Sequence, residues 1–189
     1  MEVECTMSRQ VVTCRPEDSL ALAARAMRTR DCGVLPVVDC SGALVGMVTD
    51  RDLCMAALEL GRPLNEIAVR EAMASDVVAL DPHHSLAFAA ELMGELQLRR
   101  LPVVDAERHP IGILSLVDLA RRADCGEMRG PGDVGMDEVS SALAGIGRPG
   151  PALPGPAACG PLRIVRPASL ARGRSLAPRH ERSSRRLSW

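Results

Sequence analysis

Two short segments of the sequence carry a hydroxyl and a carboxylate at the same spacing. Thr49 precedes Asp52 by three residues, and Ser115 precedes Asp118 by three. Where a strand runs into a helix, this spacing places both side chains at the start of the helix. The carboxylate can accept two hydrogen bonds from a ribose diol, and the hydroxyl with the first helical N–H groups can receive a phosphate. The same pair can equally act as a helix N-cap.

Arginine side chains close to these segments offer a second kind of chemistry. Arg99 and Arg100 precede an apolar run, and Arg51 stands beside Asp52. A planar guanidinium donates paired hydrogen bonds that suit a phosphate. The alternatives are a solvated strand end for Arg99 and Arg100, and an ion pair with Asp50 for Arg51.

Catalytic patterns do not accompany these residues. The sequence shows no phosphate-binding glycine loop, no paired carboxylates and no Ser-His-Asp arrangement, so we predict that the chain is not an enzyme. His83 and His84 would need a thiol from Cys14, Cys32 or Cys40 to bind a metal. Packing as a small hydrophobic residue is the ordinary alternative to a redox role for a buried cysteine.

The elements that position these residues occur twice. At an offset of 66 residues, 18 of the 48 positions in 7–54 are identical to those in 73–120, without a gap. Both copies contain the run Leu-Pro-Val-Val-Asp, at 35–39 and at 101–105. With two copies only, a closed pseudo-symmetric pair is favoured over a solenoid.

Each copy is predicted to follow the order β-α-β-β-α, with Ser19 and Ser85 capping the first helices and the second helices starting near Asp50 and Leu116. One unit of about 50 residues is too small to bury a core alone, so we expect one folding unit from the two. The strands are predicted at residues 11–14, 34–38 and 44–48, and at 77–80, 100–104 and 111–114.

Composition separates this unit from the rest of the chain. Residues 1–125 contain 13 Arg and 19 acidic residues, net −6, whereas residues 126–189 contain 10 Arg and 5 acidic residues, net +5. We predict a disordered Gly/Pro/Arg-rich tail over 126–189, with a short helix allowed at 137–146. One Phe, one Trp and no Tyr exclude an aromatic platform for single-stranded nucleic acid.

The tandem βαββα unit, with these runs and with the segments 46–52 and 112–118 at the last strand–helix junction, resembles the CBS domain pair, or Bateman module. The resemblance covers residues 3–122 and extends to small stand-alone bacterial proteins, including the hypoxic-response type. It implies an α/β (α+β) fold of two CBS repeats, 1–60 and 61–125 with its linker, packed as a pseudo-two-fold pair. It also implies a regulatory module that binds AMP, ADP, ATP, S-adenosylmethionine or NAD in clefts between the repeats, with no other cofactor.

The resemblance also implies roles for single residues. Asp52 and Asp118 would contact ribose, and Arg99 or Arg100 would contact phosphate. Because Gly33 and Val34 occupy the matching positions of the first copy, we expect two chemically unequal clefts. Val12 and Val78 resemble the positions that line adenine, where backbone groups would read the base edge; plain core is the alternative for both.

Partners and location follow from the same features. The resemblance implies a homodimer and an effector protein whose identity the sequence does not indicate. No run approaches 18 apolar residues, so no membrane span is expected, and we expect free thiols in the cytoplasm. The alternative functions are a metal or thiol-redox stress sensor on the same scaffold, and nucleic-acid association through the 9 Arg of residues 140–189. For the tail we favour a solvated extension.

Overall fold

The computed structural model describes residues 1–125, 130, 132–147 and 163–164. Both repeats contain a helix, a two-stranded hairpin and a second helix, as the sequence predicts. The elements are α1 (Leu20–Arg30), β1 (Val34–Val38), β2 (Leu44–Thr49), α2 (Asp50–Leu60), β3 (Val78–Ala79), α3 (Leu86–Leu96), β4 (Arg100–Val104), β5 (Pro110–Ser115), α4 (Leu116–Asp124), α5 (Met136–Ile146) and β6 (Arg163–Ile164).

Local sequence explains where the first helices begin and end. The Ser19 hydroxyl accepts a hydrogen bond from the backbone N–H of Leu22, and the Ser85 hydroxyl accepts one from Phe88. Both serines therefore act as the predicted N-caps. The C-caps, Asp31 and Gln97, adopt the left-handed conformation with φ of 50° and 57°. The chain then turns directly into the hairpin of each repeat.

The two hairpins are antiparallel and share one register. β1 pairs with β2 so that Val34 lies opposite Thr49, and β4 pairs with β5 so that Arg100 lies opposite Ser115. Each hairpin thus brings the start of its first strand beside the hydroxyl residue at the end of its second strand. The position that holds Val34 in one repeat and Arg100 in the other is fixed next to the strand–helix junction.

The predicted strands at 11–14 and 77–80 are longer than the strands that form. In the first repeat only Cys14 forms a bridge, to Val37 of β1, and in the second repeat only the two-residue β3 and a bridge at Leu80 are present. The physical reason is that the preceding chain crosses to the other repeat. Ser8 bridges to Ile113 of β5, and Ala74 bridges to Met47 of β2.

This reciprocal crossing joins the repeats into a pseudo-two-fold pair. Met7 packs against Gly112 of the second repeat, and Met73 packs against Gly46 of the first. A Cβ at position 46 would lie 2.8 Å from the Met73 sulfur and 3.1 Å from the Ala74 carbonyl oxygen, so a larger residue would displace the crossing segment. The two identical glycines of the repeat are therefore explained by close packing between repeats.

The region after residue 125 contains secondary structure, although the sequence analysis predicted a disordered tail. The helix allowed at 137–146 is present as α5, but it also packs against α3 and α4, which the sequence analysis did not predict. Val139 and Ala142 of α5 are buried in the core of the second repeat. A Cβ built on Gly94 of α3 would lie 3.0 Å from the Ala142 Cα, so small residues permit this contact. Residues 148–162 and 165–189, also assigned to the disordered tail, lie outside the described residues.

Candidate functional site

A cavity of about 320 Å³ lies between the two repeats, and we call it the first cleft. The crossing segment of the first repeat supplies Val12, while the second repeat supplies Arg100, Ser115 and Asp118. Four of the nine predicted ligand residues therefore meet at one place, although they are up to 106 residues apart in sequence. Its volume is within the range of cavities that hold small molecules.

Ser115 and Asp118 form a closed hydrogen-bonded pair at the start of α4. The Asp118 Oδ2 atom accepts hydrogen bonds from the Ser115 N–H at 2.9 Å and from its hydroxyl at 2.5 Å. The Ser115 Oγ in turn accepts one from the Asp118 N–H at 3.2 Å. The alternative role of this pair, as a helix N-cap, is thus present in the structure. The Asp118 Oδ1 atom, which is not used in the cap, forms an ion pair at 3.9 Å with the exposed Arg121 guanidinium and keeps lone pairs for two hydroxyl donors.

Thr49 and Asp52 repeat this geometry at the start of α2. The Asp52 Oδ2 atom accepts from the Thr49 N–H at 2.8 Å and from the Thr49 hydroxyl at 2.7 Å. Their surroundings differ, because Asp52 lines another cavity, of about 480 Å³, together with Arg51, Glu59 and Glu71. This cavity thus has three carboxylates and one guanidinium group, whereas the first cleft has two of each, Asp31 and Asp118 with Arg30 and Arg100, and is the more suitable for an anionic ligand.

The arginines of the sequence analysis separate in the structure. Arg100 lines the first cleft, whereas Arg99 is exposed and its carbonyl accepts a hydrogen bond from the Leu116 N–H at 3.0 Å. The structure adds Arg30, which the sequence analysis missed, from the last turn of α1. The helix dipole alone favours an arginine in the last turn of a helix, so the sequence gave no reason to assign Arg30 to a binding site.

The counterparts of Arg99 and Arg100 in the first repeat are Gly33 and Val34, and both line the first cleft. The Asp50 carboxylate covers Gly33, and a Cβ there would lie 2.8 Å from its Oδ2 atom. The Asp50 Oδ1 atom accepts a hydrogen bond from the Arg51 backbone N–H at 2.7 Å. The inequality of the two clefts stays a prediction that rests on these residue types.

We call the position related to the first cleft by the 66-residue offset the second cleft; it comprises Val34, Thr49, Asp52 and Val78. Val78 is 6% exposed and packs in the core of the second repeat. Val12, its counterpart, is half-buried. The alternative that these valines are plain core residues therefore fits Val78 better than Val12.

Metal-ligating groups within the described residues form two clusters, neither of which contains a cysteine. They are Glu2, Glu4 and His83, and Asp105, Glu107 and His109. Neither cluster brings His83 or His84 together with Cys14, Cys32 or Cys40, the thiols that the sequence analysis considered as further ligands. His83 Nδ1 lies 2.8 Å from Glu2 Oε2, and this hydrogen bond raises the pKa of His83.

The cysteines of the described residues are free thiols, as expected: Cys5, Cys14, Cys32, Cys40, Cys54 and Cys125. Cys14 is the buried one, and burial, with a smaller effect of Asp18, raises its pKa to about 12. A thiol in this state is protonated at neutral pH and is a poor redox sensor. Its role here is packing in the first repeat.

None of the helices in the described part of the chain is long and apolar enough to cross a membrane.

Comparison with known proteins identifies both repeats. The family model of the CBS domain matches residues 2–59 and 69–124. The CBS domain-containing protein YhcV of Bacillus subtilis is 40% identical over 118 residues, which cover 62% of this chain and 82% of YhcV. Hypoxic response protein 1 of Mycobacterium tuberculosis is 35% identical over 111 residues, covering 58% of this chain and 77% of that protein.

Solved structures share the same arrangement. The CBS domain pair of protein MJ0100, in complex with 5'-methylthioadenosine and S-adenosyl-L-methionine, aligns with a TM-score of 0.58 and 26% identity over 64% of this chain and 94% of that one. Hypoxic Response Protein I with two coordinated zinc ions aligns with a TM-score of 0.58 and 30% identity, over 64% of this chain and 98% of that one.

Proposed function

Because the chain belongs to the CBS domain family and is built as a regulatory pair of these domains, we propose that it binds an adenosine-containing ligand in the first cleft. One observation supports this above the others. Val12 from one repeat and Arg100, Ser115 and Asp118 from the other line a single cavity. The complex of the MJ0100 domain pair with two adenosine compounds supports the same ligand class.

In this proposal each side chain has a separate task. Asp118 Oδ1 accepts the two ribose hydroxyls, while the capping bonds to Ser115 hold its carboxylate in place. The N-terminus of α4 and the guanidinium groups of Arg30 and Arg100 face the phosphate. Val12 contacts the base through apolar surface. Arg30 and Arg100 offer partners for the phosphates of AMP, ADP or ATP, whereas Asp31, which also lines the first cleft, offers one for the positive charge of S-adenosylmethionine.

Ligand binding would change how often the two repeats adopt one particular arrangement relative to each other. Since the first cleft takes its walls from both repeats, a bound molecule stabilises the arrangement in which these walls are close. A partner that recognises this arrangement would then respond to ligand concentration through a shift in population. The module needs no reacting group for this, and we propose that the chain is not an enzyme.

Thermal unfolding tests the proposal. We expect millimolar AMP, ADP or ATP to raise the Tm of the wild type, because a ligand that binds only the native state stabilises it by about 2.7 kcal/mol at a hundredfold excess over Kd. S-adenosylmethionine and NAD are the comparison ligands. The absence of a shift with all five compounds would contradict the function.

Two matched variants locate the site. Asp118→Ala and Asp52→Ala each remove a capping carboxylate, so both should lower the Tm of the free protein by a similar amount, equivalent to about 1 kcal/mol. We expect Asp118→Ala to abolish the ligand-induced shift and Asp52→Ala to retain it. A shift that survives in Asp118→Ala would refute the ribose assignment.

Metal binding is a second candidate, favoured by the zinc ions of Hypoxic Response Protein I and by the cluster of Glu2, Glu4 and His83. A histidine nitrogen and two carboxylates are suitable ligands for zinc. Elemental analysis of protein purified with added zinc tests it, with His83→Gln as the control. Equal zinc content in the two proteins would rule out this cluster.

We also propose a cytoplasmic homodimer that acts on an effector protein in a stress response, in line with the hypoxic-response relative. The dimer surface would include Leu22 on α1, which is 54% exposed, whereas its counterpart Phe88 is 8% exposed beside α5. An apolar side chain uncovered in only one repeat supports contact with a second copy through that repeat. Sedimentation of the full chain tests the dimer.

A further inference from the structure

The two clefts differ in the backbone hydrogen bonding of the segment that lies beside each of them. Within the described residues, no hydrogen bond involves the backbone of Val12 or Thr13 in the first repeat. In the second repeat the equivalent residues, Val78 and Ala79, form β3, which pairs in parallel with β6. The edge that is open beside the first cleft is therefore covered beside the second.

The covering strand comes from the C-terminal part of the chain. Arg163 lies opposite Val78, and Ile164 lies opposite Ala79. The other edge of this segment already faces β4, because the Leu80 N–H donates to the Pro102 carbonyl at 2.9 Å and the Leu80 carbonyl accepts from the Val104 N–H at 3.0 Å. With β6 in place, the segment has a neighbouring strand on both sides.

We propose that β6 closes the second cleft, so that the chain binds one adenosine-type ligand while its own C-terminal strand occupies the second binding edge. This rests on the proposed function and extends it to regulation. The base edge of a nucleoside would need the open edge of this segment, where the Ala79 N–H and carbonyl face β6, since the Leu80 groups on the other edge are bonded to β4. A ligand and β6 therefore compete for the same edge.

Closure by a strand of two residues is reversible. β6 is tethered to the same chain, so it competes at a high effective concentration although its own contacts are few. The apparent Kd of the second cleft is inversely proportional to the fraction of molecules in which β6 is unpaired. A partner or a modification that removes β6 from β3 would then double the number of binding sites.

Substitution of Arg163 tests the closure in the full-length chain. Because the Leu80 backbone groups face β4, those of Ala79 face β6, and in the parallel register the N–H of Arg163 faces β3 whereas that of Ile164 faces away. Arg163→Pro removes the N–H that faces β3, whereas Arg163→Val keeps it together with a strand preference. Hydrogen exchange should show that the Ala79 amide exchanges at least tenfold faster in Arg163→Pro than in the wild type and in Arg163→Val.

Titration calorimetry with ATP, and separately with S-adenosylmethionine, supplies the second readout. We expect one site per chain in the wild type and in Arg163→Val, and two in Arg163→Pro. Adding Asp52→Ala to Arg163→Pro should return the count to one.

Two equal sites in the wild type, or one site in Arg163→Pro, would overturn the closure and leave the proposed function standing. If neither probe binds to the wild type or to Arg163→Pro, the proposed function and the closure both fall.

Discussion

The two clefts derive from the same duplicated sequence and share a valine and an aspartate, yet they differ in the residue beside the hydroxyl of the junction. The first cleft has Arg100 opposite Ser115, and the matching place in the second cleft has Val34 opposite Thr49. The capping geometry at Asp118 and at Asp52 is the same, with all three hydrogen bonds retained. The junction is therefore a scaffold common to both repeats, and the charges around it decide what each cleft can bind.

The outer faces of the repeats differ as well. In the second repeat α5 covers α3 and α4, whereas α1 and α2 of the first repeat have no such cover among the described elements. Gly94 of α3 allows this contact, and its counterpart on α1 is the exposed Arg28. One repeat has thus acquired an intramolecular partner, and the other has kept a surface that is free for another molecule.

The largest predicted effect tests this difference in the faces. We expect Gly94→Leu to lower the free energy of unfolding by about 2 kcal/mol, because overpacking against Ala142 costs about 1–3 kcal/mol or more and the gain in helix propensity offsets about 1 kcal/mol. The contact cannot relax by sliding α5, since a Cβ on Gly145 would lie 2.5 Å from the Gly94 carbonyl oxygen. Denaturant unfolding measures the change.

The same substitution in the first repeat is the control. Arg28→Leu places a leucine at the equivalent position of α1, where the side chain is exposed, and we expect a change within about 0.5 kcal/mol. Equal effects of Gly94→Leu and Arg28→Leu would mean that the docking of α5 contributes little to the stability of the second repeat.

A smaller effect tests the charge difference between the clefts. We expect Arg100→Ala to weaken binding of ATP about tenfold, equivalent to about 1.4 kcal/mol, because an exposed guanidinium contributes less than a buried one. Binding of adenosine, which lacks phosphate, should not change. Calorimetric titration of both compounds measures the two constants.

Arg99 provides the matched control, since it stands beside Arg100 but does not line the first cleft. Arg99→Ala should leave both constants within about twofold of the wild type. A tenfold loss in Arg99→Ala with none in Arg100→Ala would reverse the assignment of the phosphate contact.

The fold was predictable because its signals are local. Ser19 and Ser85 start helices through their own hydroxyls, and β1 and β4 have the predicted bounds, since the Leu-Pro-Val-Val-Asp runs are continuous apolar segments. The roles of Ser115 and Asp118 as a cap were also readable from spacing. These features require only residues within a few positions of one another.

The missing parts depend on contacts between distant segments. The sequence did not indicate that Ser8 pairs with Ile113, so the first strand of each repeat was predicted too long. It did not indicate that Arg30 lines the first cleft or that β6 pairs with β3. Neither the residue types nor the hydrophobic periodicity of these segments differs from that of ordinary surface segments. Gly94 and Gly145 are recognisable as a helix contact only when α5 is in place.

The smallest predicted effect concerns the crossing segments, where Glu71 in one corresponds to Cys5 in the other. The Glu71 carboxylate accepts a hydrogen bond from the Ala68 N–H at 2.9 Å and also pairs with Arg62, and these contacts lower the pKa of Glu71. A lowered carboxyl pKa contributes stability above the unfolded value, 4.5, that is lost as the pH falls through the folded value.

We therefore expect Glu71→Gln to reduce the Tm slightly at pH 7 and to match the wild type at a pH well below 4.5. The effect is small because the Glu71 side chain is 35% exposed and solvent screens the ion pair. Cys5→Ala, in the corresponding segment of the other repeat, should show a difference from the wild type that does not vary over this acidic range. If the Glu71→Gln difference persists in acid, where the carboxylate is protonated, its charge is not the cause of the stabilisation.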